Sequence, residues 1–475
     1  MIDEIPAQER SGRLLRAGLA GSEVQSFLGE LDAPAAASLP VDAARLGRLC
    51  RDGRALLARL PARSKRNTGE KAAGHALVHL LADAVWRFFR THRKPIYDTL
   101  TAARTRALRL EELARAGAAL LPGVLPSNAE LAEESRNMQA DKDGLEIHQG
   151  LFFGQLLSDR EIGLHLCAAM LLPTTAAQAK LEEFRSRGEL DLGAVRLQAQ
   201  GDAGYLYFHH PRYLNAEDDE TLAAQETACD LILLHPGLRM GVLRGAPVDH
   251  PKYQGRRIFS AGINLTRIYN GRQSYLFYLT RDMGLLNKMF RGLVATDQAG
   301  RLQLRPEEPE QTLEKPWVAV VDGFAIGGGC QLLLVVDYVI AESGAYFSLP
   351  ARKEGIIPGC ANLRLPRFMG ERMAREAIMF DKSFRVDDAD ARALVNEVHP
   401  RADMDRAVGA CIANALGSGM VSAGGNRKAI RIQTEPLDTF RAYMATYACE
   451  QAFCHLSEQL VHNLERHWNA KERKL

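Results

Sequence analysis

The fold prediction starts from Lys315 to Pro358, KPWVAVVDGFAIGGGCQLLLVVDYVIAESGAYFSLPARKEGIIP. Val318 to Val321 is a short β-branched run, typical of a buried strand, and Asp322-Gly323 ends it. Three consecutive glycines, Gly327 to Gly329, lead into an apolar helical segment, and a second strand follows at Tyr338 to Ala341. Glycines just before a helix let backbone N–H groups approach a ligand closely. The stretch therefore predicts strand, glycine-rich turn, helix and strand, with an oxygen-binding site at the helix start.

Spacing alone leaves open that the glycines only permit tight helix–strand packing. The stretch lacks the Gly-Lys-Ser/Thr of a P-loop and the GxGxxG of a dinucleotide fold. A second segment lies upstream at Arg257 to Leu265, RIFSAGINL, and Ile357-Pro358-Gly359 lies downstream. In this order the three segments resemble the crotonase (enoyl-CoA hydratase/isomerase) superfamily, which pairs F-x-A-G-x-D/N-L with G-x-x-x-G-G-G-x-E/Q and an I-P-G loop. The resemblance implies an α/β fold with a ClpP/crotonase-like ββα spiral core.

The composition is that of an ordinary soluble globular protein. The 475 residues are 46% hydrophobic and 25% charged, and the net charge of +2 gives no field that would attract nucleic acid. The eight cysteines lack CxxC spacing, so we expect them to be reduced packing residues. The first residues, MIDEIPAQER, do not form a signal peptide, and no long uninterrupted apolar run predicts a membrane span. We therefore expect a cytoplasmic protein without a membrane partner.

The residue pattern divides the chain into three predicted regions. Residues 1–190 are rich in Ala, Leu and Arg and predict an all-helical N-terminal domain, residues 191–400 the crotonase-like core, and residues 401–475 a C-terminal helical region. In the first region Lys71 to Arg93 has helical spacing, and Pro95 is expected to stop or kink that helix. His75 and His79 stand four residues apart and could hold a metal, but a packed or solvated helix face is the favoured interpretation.

Further elements are predicted in the second and third regions. Val195 to Gln200 alternates apolar and polar residues, and with Tyr205 to Phe208 it predicts a hairpin. One helix is predicted from Ser274 to Gly292 and another from Leu437 to about Trp468. Gly417 to Gly425 contains four glycines and two serines and predicts a flexible connection.

The resemblance implies an oxyanion hole for an acyl-CoA thioester. Its two backbone N–H donors fall on Ile263 and Gly328. Two such preorganised donors stabilise the negative charge that develops on the carbonyl oxygen when the thioester enolises, each lowering the barrier by roughly 3–4 kcal/mol.

Two departures from the hydratase pattern argue against simple hydration. Where hydratases carry their two catalytic Glu residues, this chain has Gln331 and, after Pro350, Ala351. Without either carboxylate, activating a water molecule for addition is hard to arrange.

The sequence is most similar to one branch of the superfamily, the cofactor-independent dioxygenases that act on 3,5-dihydroxyphenylacetyl-CoA. The similarity extends through KDGLEIHQGLFFGQLL, GLHLCAAMLLPT, YLNAEDDE, YLTRDMGLLNK and EGIIPG. It implies that Arg281 is an active-site arginine, that Glu217 binds a ring hydroxyl and that Ile356 forms an apolar wall of an oxygen pocket. Gln331 would orient substrate or peroxide by hydrogen bonding. From spacing alone, Arg281 reads equally well as a surface helix residue and Glu217 as an acid favoured at a helix start.

The implied reaction deprotonates the α-carbon, passes one electron from the enolate to O2 and ends in an arylglyoxylate and free CoA. The resemblance implies no metal, no flavin and no other cofactor, with acyl-CoA and O2 as the substrates. It also implies a homo-oligomer, trimeric or hexameric, and a role in dihydroxyphenylglycine and hence antibiotic biosynthesis. Two alternatives remain open: another crotonase reaction such as isomerisation or thioester hydrolysis, and a non-catalytic acyl-CoA-binding protein.

Overall fold

The computed structural model describes residues 2–36, 38–303, 311–417, 421–473 and 475. The chain forms two compact units. Unit 1 contains Met1–Leu166, Thr266–Leu276 and Met444–Leu475, and unit 2 contains Cys167–Leu265 and Phe277–Tyr443. The three-region division at residues 190 and 400 stays a prediction.

Helices make up most of the secondary structure of the chain. In chain order they are α1 (Ala7–Arg16), α2 (Gly21–Asp32), α3 (Leu39–Ala58), α4 (Thr68–Leu100), α5 (Leu110–Leu120), α6 (Asn128–Glu134), α7 (Leu145–Ser158), α8 (Arg160–Met170), α9 (Thr175–Arg187), α10 (Asp219–Leu234), α11 (Leu265–Tyr269), α12 (Leu276–Thr280), α13 (Asn287–Arg291), α14 (Gly328–Leu333), α15 (Ala351–Glu354), α16 (Ala361–Phe380), α17 (Met404–Gly417), α18 (Val421–Thr434), α19 (Leu437–His455) and α20 (Glu458–Trp468). No strand precedes Glu189 in the described part of the chain, so the all-helical N-terminal region is confirmed.

Unit 1 is built around the long helix α4, which packs against α1, α3 and α7. A capping box at Asn67 and Glu70 starts α4. The helix continues through Pro95 to Leu100, so of the two predicted effects of Pro95 the stop is wrong, while the kink stays a prediction. On α7, a methyl group at Gly150 would lie 2.9 Å from the carbonyl oxygen of Ala448, which shows how closely α7 and α19 approach.

Unit 2 contains the β-structure. Its strands are β1 (Glu189–Asp191), β2 (Val195–Gln200), β3 (Ala203–Phe208), β4 (Met240–Gly245), β5 (Trp317–Val321), β6 (Phe324–Ile326), β7 (Tyr338–Glu342), β8 (Tyr346–Ser348), β9 (Phe384–Arg385) and β10 (Glu397–His399). One sheet has the order β1-β2-β3-β4-β5-β7-β10, and a smaller sheet has the order β6-β8-β9. The predicted hairpin is confirmed as β2 and β3, which pair antiparallel, while β3, β4, β5, β7 and β10 run parallel.

The core of the large sheet is apolar on the face that packs against α17. Val242, Val318, Val320 and Ile340 lie there with Met404 of α17, all 2% exposed or less. Burial on this scale supplies the main driving force for a domain of this kind. The β-branched run that predicted a buried strand is thus β5, an interior strand between β4 and β7.

Three predictions for unit 2 and the C-terminal region are corrected. The helix expected from Ser274 to Gly292 consists of α12, a π-helical segment at Arg281–Leu286 and α13. The flexible connection expected at Gly417 to Gly425 is helical from Val421 onward, while residues 418–420 lie outside the described residues. The single helix expected from Leu437 to Trp468 is divided into α19 and α20, because Ser457 caps a new helix.

The stretch Arg160–Arg187 is, within the described residues, long and apolar enough to span a membrane by length and composition, with a mean hydropathy of 1.3. Half of its most apolar window is buried inside the protein, as in a core helix of a soluble protein. It consists of two helices, α8 and α9, with a turn at residues 171–174. All eight cysteines are free, which agrees with the prediction of unpaired packing residues.

Candidate active site

Three extended segments of unit 2 run side by side and bring the predicted oxyanion groups together. Ser260 pairs in parallel with Ala325 of β6, since its N–H donates to the Phe324 carbonyl at 3.3 Å and its carbonyl accepts from Ile326 at 3.0 Å. On the other side Ile263 pairs in parallel with Glu217. The ladder therefore places the Gly262-Ile263 step beside the Gly327-Gly328 step.

The backbone N–H groups of Ile263 and Gly328 are the two predicted oxyanion donors. The flanking groups of Ile263 face Glu217, because Glu217 N–H donates to the Gly262 carbonyl and Asn264 N–H to the Glu217 carbonyl, both at 2.7 Å. In such a parallel pair the flanking groups make the hydrogen bonds, so the N–H of Ile263 itself is not bonded to Glu217. Neither N–H donates a hydrogen bond to any residue that the structure describes. A methyl group at Gly262 would lie 3.1 Å from the nitrogen of Gly328, which shows how near the two steps are.

Arg281 connects three of the predicted site residues. Its Nε donates to Glu217 Oε2 at 2.8 Å, its Nη1 to Gln331 Oε1 at 2.7 Å and its Nη2 to the Gly328 carbonyl at 2.7 Å. Arg281 is 4% exposed, so it is not a surface helix residue. We call Glu217, Ile263, Arg281, Gly328 and Gln331 the Arg281 cluster.

The cluster leaves specific polar groups unused. Gln331 accepts from Arg281 through its side-chain oxygen, and its amide nitrogen donates to no described residue, so its N–H groups remain for a ligand. Glu217 Oε1 is buried without a partner. Burial raises the pKa of the Glu217 carboxyl although Arg281 opposes that shift.

Gly328 cannot carry a side chain in this arrangement. A methyl group there would overlap Glu217 Oε2 and lie 3.1 Å from Arg281 Nη2. The middle glycine of the triplet therefore serves close approach of backbone to the ion pair, which the spacing of the triplet alone left open.

A buried ion network holds the π-helical segment and α13 against α10. Lys288 Nζ lies 2.7 Å from Glu226 Oε1 and 2.8 Å from Asp230 Oδ1, and its side chain is fully buried. π-Helical turns are rare and recur at functional sites. The predicted continuous helix gave no indication of this turn, which orients Arg281 at its first residue.

Two buried carboxyl groups near the site were not predicted. Both oxygens of Asp282 lack a hydrogen-bond partner in the described structure, and a methyl group at Gly359 would lie 2.7 Å from its Cγ. Burial raises the pKa of Asp282 to about 6. Glu354 is 5% exposed at the end of the single-turn helix α15. In the sequence it could have been noticed as an acid three residues after Ala351, the position where hydratases carry a catalytic Glu.

Ile356 and Ala351 lie on the segment between β8 and α16. Ile356 is half-buried after the left-handed Gly355, and its N–H donates to the Ala351 carbonyl at 3.3 Å. The position after Pro350 carries no carboxylate, as the sequence indicated. No measured contact of the described residues joins the side chain of Ile356 to the Arg281 cluster, so its part in an oxygen pocket stays a prediction.

Asp3, His75 and His79 of unit 1 form, within the described residues, a group whose possible metal-ligand atoms lie within 4.8 Å of one another. His79 Nδ1 already accepts from the Asp3 N–H at 2.8 Å, and the two rings stack with centroids 4.1 Å apart. His79 is buried against Phe453, whereas His75 is exposed on the surface of the helix.

Comparison with known proteins connects this geometry to a family. Residues 307–446 match the model of the enoyl-CoA hydratase/isomerase family. The chain is 44% identical over 398 residues to a (3,5-dihydroxyphenyl)acetyl-CoA 1,2-dioxygenase from Amycolatopsis orientalis, covering 84% of this chain and 89% of that protein. The chain belongs to the crotonase (enoyl-CoA hydratase/isomerase) superfamily.

Other members of the superfamily are more distant. A short-chain-enoyl-CoA hydratase from Clostridium acetobutylicum is 31% identical over 211 residues, covering 44% of this chain and 70% of that protein. The crystal structure of an enoyl-CoA hydratase from Mycobacterium avium subsp. paratuberculosis K-10 is 20% identical, covers 60% of this chain and 99% of that chain, and superposes with a TM-score of 0.47. The 44% identity to the Amycolatopsis orientalis protein and the match to the family model confirm the predicted fold class, a crotonase core with additional helices.

Proposed function

We propose that this protein is a dioxygenase that converts 3,5-dihydroxyphenylacetyl-CoA, or a similar arylacetyl-CoA, and O2 into the arylglyoxylate and free CoA. The observation that carries the proposal is the 44% identity over 84% of the chain to a protein of that name. The site supports it, because the unbonded N–H groups of Ile263 and Gly328 suit a thioester oxygen. Gln331 stands where a hydratase needs a carboxylate.

The reaction begins with loss of a proton from the α-carbon. The electron pair moves onto the thioester carbonyl oxygen, where two fixed N–H donors stabilise the charge. An aryl ring with two hydroxyl groups delocalises the enolate further. Ile263 and Gly328 hold this oxygen in the proposal, and the free N–H groups of Gln331 bind substrate or peroxide.

The enolate then reacts with O2. One electron passes to O2, and the radical pair recombines to form a C–O bond at the α-carbon. The terminal peroxide oxygen attacks the thioester carbonyl, and the CoA thiolate leaves. Cleavage of the O–O bond with loss of the second α-proton gives the 2-oxo acid, so both atoms of dioxygen end in one product.

The remaining roles extend the proposal. Glu217 accepts a hydrogen bond from a ring hydroxyl through Oε1, which has no partner among the described residues. Ile356 lines a dry space for O2. The enzyme needs no metal, flavin or other cofactor, works in the cytoplasm as a homo-oligomer and supplies an arylglyoxylate for dihydroxyphenylglycine and antibiotic biosynthesis.

The decisive experiment incubates the purified, chelator-treated protein with 3,5-dihydroxyphenylacetyl-CoA under 18O-labelled dioxygen. We expect stoichiometric O2 consumption and an arylglyoxylate that carries both labelled atoms. Arylacetate formed without O2 consumption would identify a thioester hydrolase instead. Tight binding of the thioester without any product would identify a binding protein. Activity abolished by the chelator and restored by iron would refute the cofactor-independent reaction.

A further inference from the structure

Glu354 is a buried carboxylate without a partner next to the oxyanion groups. It ends the single-turn helix α15, between Pro350 and Gly355, whose φ of 83° closes the turn. Its side chain is 5% exposed. No described residue donates a hydrogen bond to its carboxylate or forms an ion pair with it. Removing a carboxylate from water without such compensation costs free energy, which an ordinary structural position would avoid.

The carboxylate borders the gap between the two oxyanion steps. A methyl group at Gly327 would lie 3.9 Å from Glu354 Oε1 and 3.8 Å from the Cα of Gly262. Gly262 and Gly327 directly precede Ile263 and Gly328. The Glu354 carboxylate therefore lies beside the residue that precedes one of the two oxyanion donors.

The other acids near the site are placed for different tasks. Glu217 Oε2 is held by Arg281 at 2.8 Å. Asp282 lies against the backbone of Gly359 and 3.7 Å from Arg281 Nη1. Gln331 carries no charge. Glu354 is the carboxylate at the oxyanion gap that no described cation holds.

We propose that Glu354 is the general base that removes the α-proton of the bound acyl-CoA. This inference rests on the proposed function. The α-C–H bond breaks, the proton goes to a Glu354 oxygen, and the electron pair moves to the carbonyl oxygen held by Ile263 and Gly328. Residues three apart lie on one face of a helical turn. Glu354 therefore lies on the same face of α15 as Ala351, the position where hydratases carry a catalytic Glu.

The charge environment sets the pH dependence. Burial, with the nearby negative charge of Asp381, raises the pKa of Glu354 to about 7. Asp381 follows α16 and is itself paired with Arg352 at 2.6 Å and Lys353 at 3.8 Å. A base acts in its ionised form, so enolisation is expected to increase as the pH rises through about 7.

Anaerobic exchange of the α-hydrogens tests the base without O2 chemistry. The wild-type protein is mixed with α-deuterated 3,5-dihydroxyphenylacetyl-CoA, and loss of deuterium is followed by mass spectrometry. Glu354→Gln keeps the shape but removes the base, and we expect exchange to fall by about 100-fold or more. The matched control is Glu371→Gln, whose side chain is 78% exposed on α16 and whose exchange rate is expected to equal that of the wild type.

The outcomes separate this inference from the proposed function. Wild-type exchange in Glu354→Gln overturns the base assignment and leaves the dioxygenase reaction standing. Exchange that depends on Glu354, with no O2 consumption in air, supports the base and refutes the dioxygenase reaction. Absence of exchange in the wild type overturns the assignment. If Glu354→Gln fails to fold, Asp381→Asn serves instead: removing that charge is expected to move the pH profile of exchange to lower pH, and an unmoved profile overturns the inference.

Discussion

Replacement of Arg281 by Lys tests whether the guanidinium fork organises the site. The substitution keeps the positive charge opposite Glu217 but offers one ammonium nitrogen in place of three guanidinium nitrogens that bond at 2.7 to 2.8 Å. We expect Lys to keep the ion pair with Glu217 and to lose the bonds to Gln331 and the Gly328 carbonyl. Hydrogen bonds to a charged group contribute about 1.5–3 kcal/mol each, so about 3–6 kcal/mol of positioning is lost.

A loss of that size corresponds to a decrease in turnover of more than about 100-fold. The assay is O2 consumption with arylacetyl-CoA, with free CoA measured in parallel and folding checked by thermal unfolding. Arg375→Lys is the matched control, because Arg375 is 69% exposed and pairs on the surface of α16. A folded Arg281→Lys variant with turnover within about threefold of the wild type would refute the positioning role.

Three further variants test neighbouring parts of the account. Gln331→Ala removes the free amide and should lower turnover by at least about tenfold with little change in melting temperature, whereas unchanged turnover would exclude it from the site. Gly328→Ala should lower both turnover and stability, because its methyl group overlaps Glu217 Oε2. The control Gly409→Ala lies in open space on α17 and should stabilise the protein by up to about 1 kcal/mol. Similar effects of the two substitutions would contradict the close contact between Gly328 and Glu217. Burial notwithstanding, three arginines lower the pKa of Glu435 to about 2 from 4.5, so the unfolded chain takes up its proton first as the pH falls. Glu435 should therefore contribute roughly 3 kcal/mol to the free energy of unfolding above pH 4.5, and this contribution should be lost toward pH 2. Urea unfolding of Glu435→Gln should show a weaker dependence of stability on pH in this range.

Local patterns predicted the regular elements well. Strict alternation from Val195 to Gln200 predicted the bounds of β2, and the β-branched run predicted β5, a buried interior strand of the sheet. Pro95 does not stop α4, because a proline inside a long helix removes one hydrogen bond while the buried face of that helix is retained. The π-helical turn at Arg281–Leu286 has no sequence period of its own, so the helical pattern could not predict it.

The site was predictable only in part for a similar reason. Motif resemblance pointed to Ile263, Arg281, Gly328 and Gln331, and the structure brings their segments together. The resemblance could not predict which groups contact each other. Arg281 connects Glu217 with Gln331, and Glu354 lies beside Gly327, although these residues are far apart in sequence. Such pairings depend on the ladder of Glu217, Ile263 and β6, which no local pattern encodes.

The proposed enolate mechanism depends most on the backbone N–H groups of Ile263 and Gly328. The most direct measurement is a crystal structure with a non-reactive arylacetyl-CoA analogue in which an amide replaces the thioester. We expect its carbonyl oxygen to lie within about 2.7–3.1 Å of the nitrogens of both Ile263 and Gly328. A carbonyl oxygen bound by one of them alone, or bound elsewhere in the protein, would contradict the enolate mechanism.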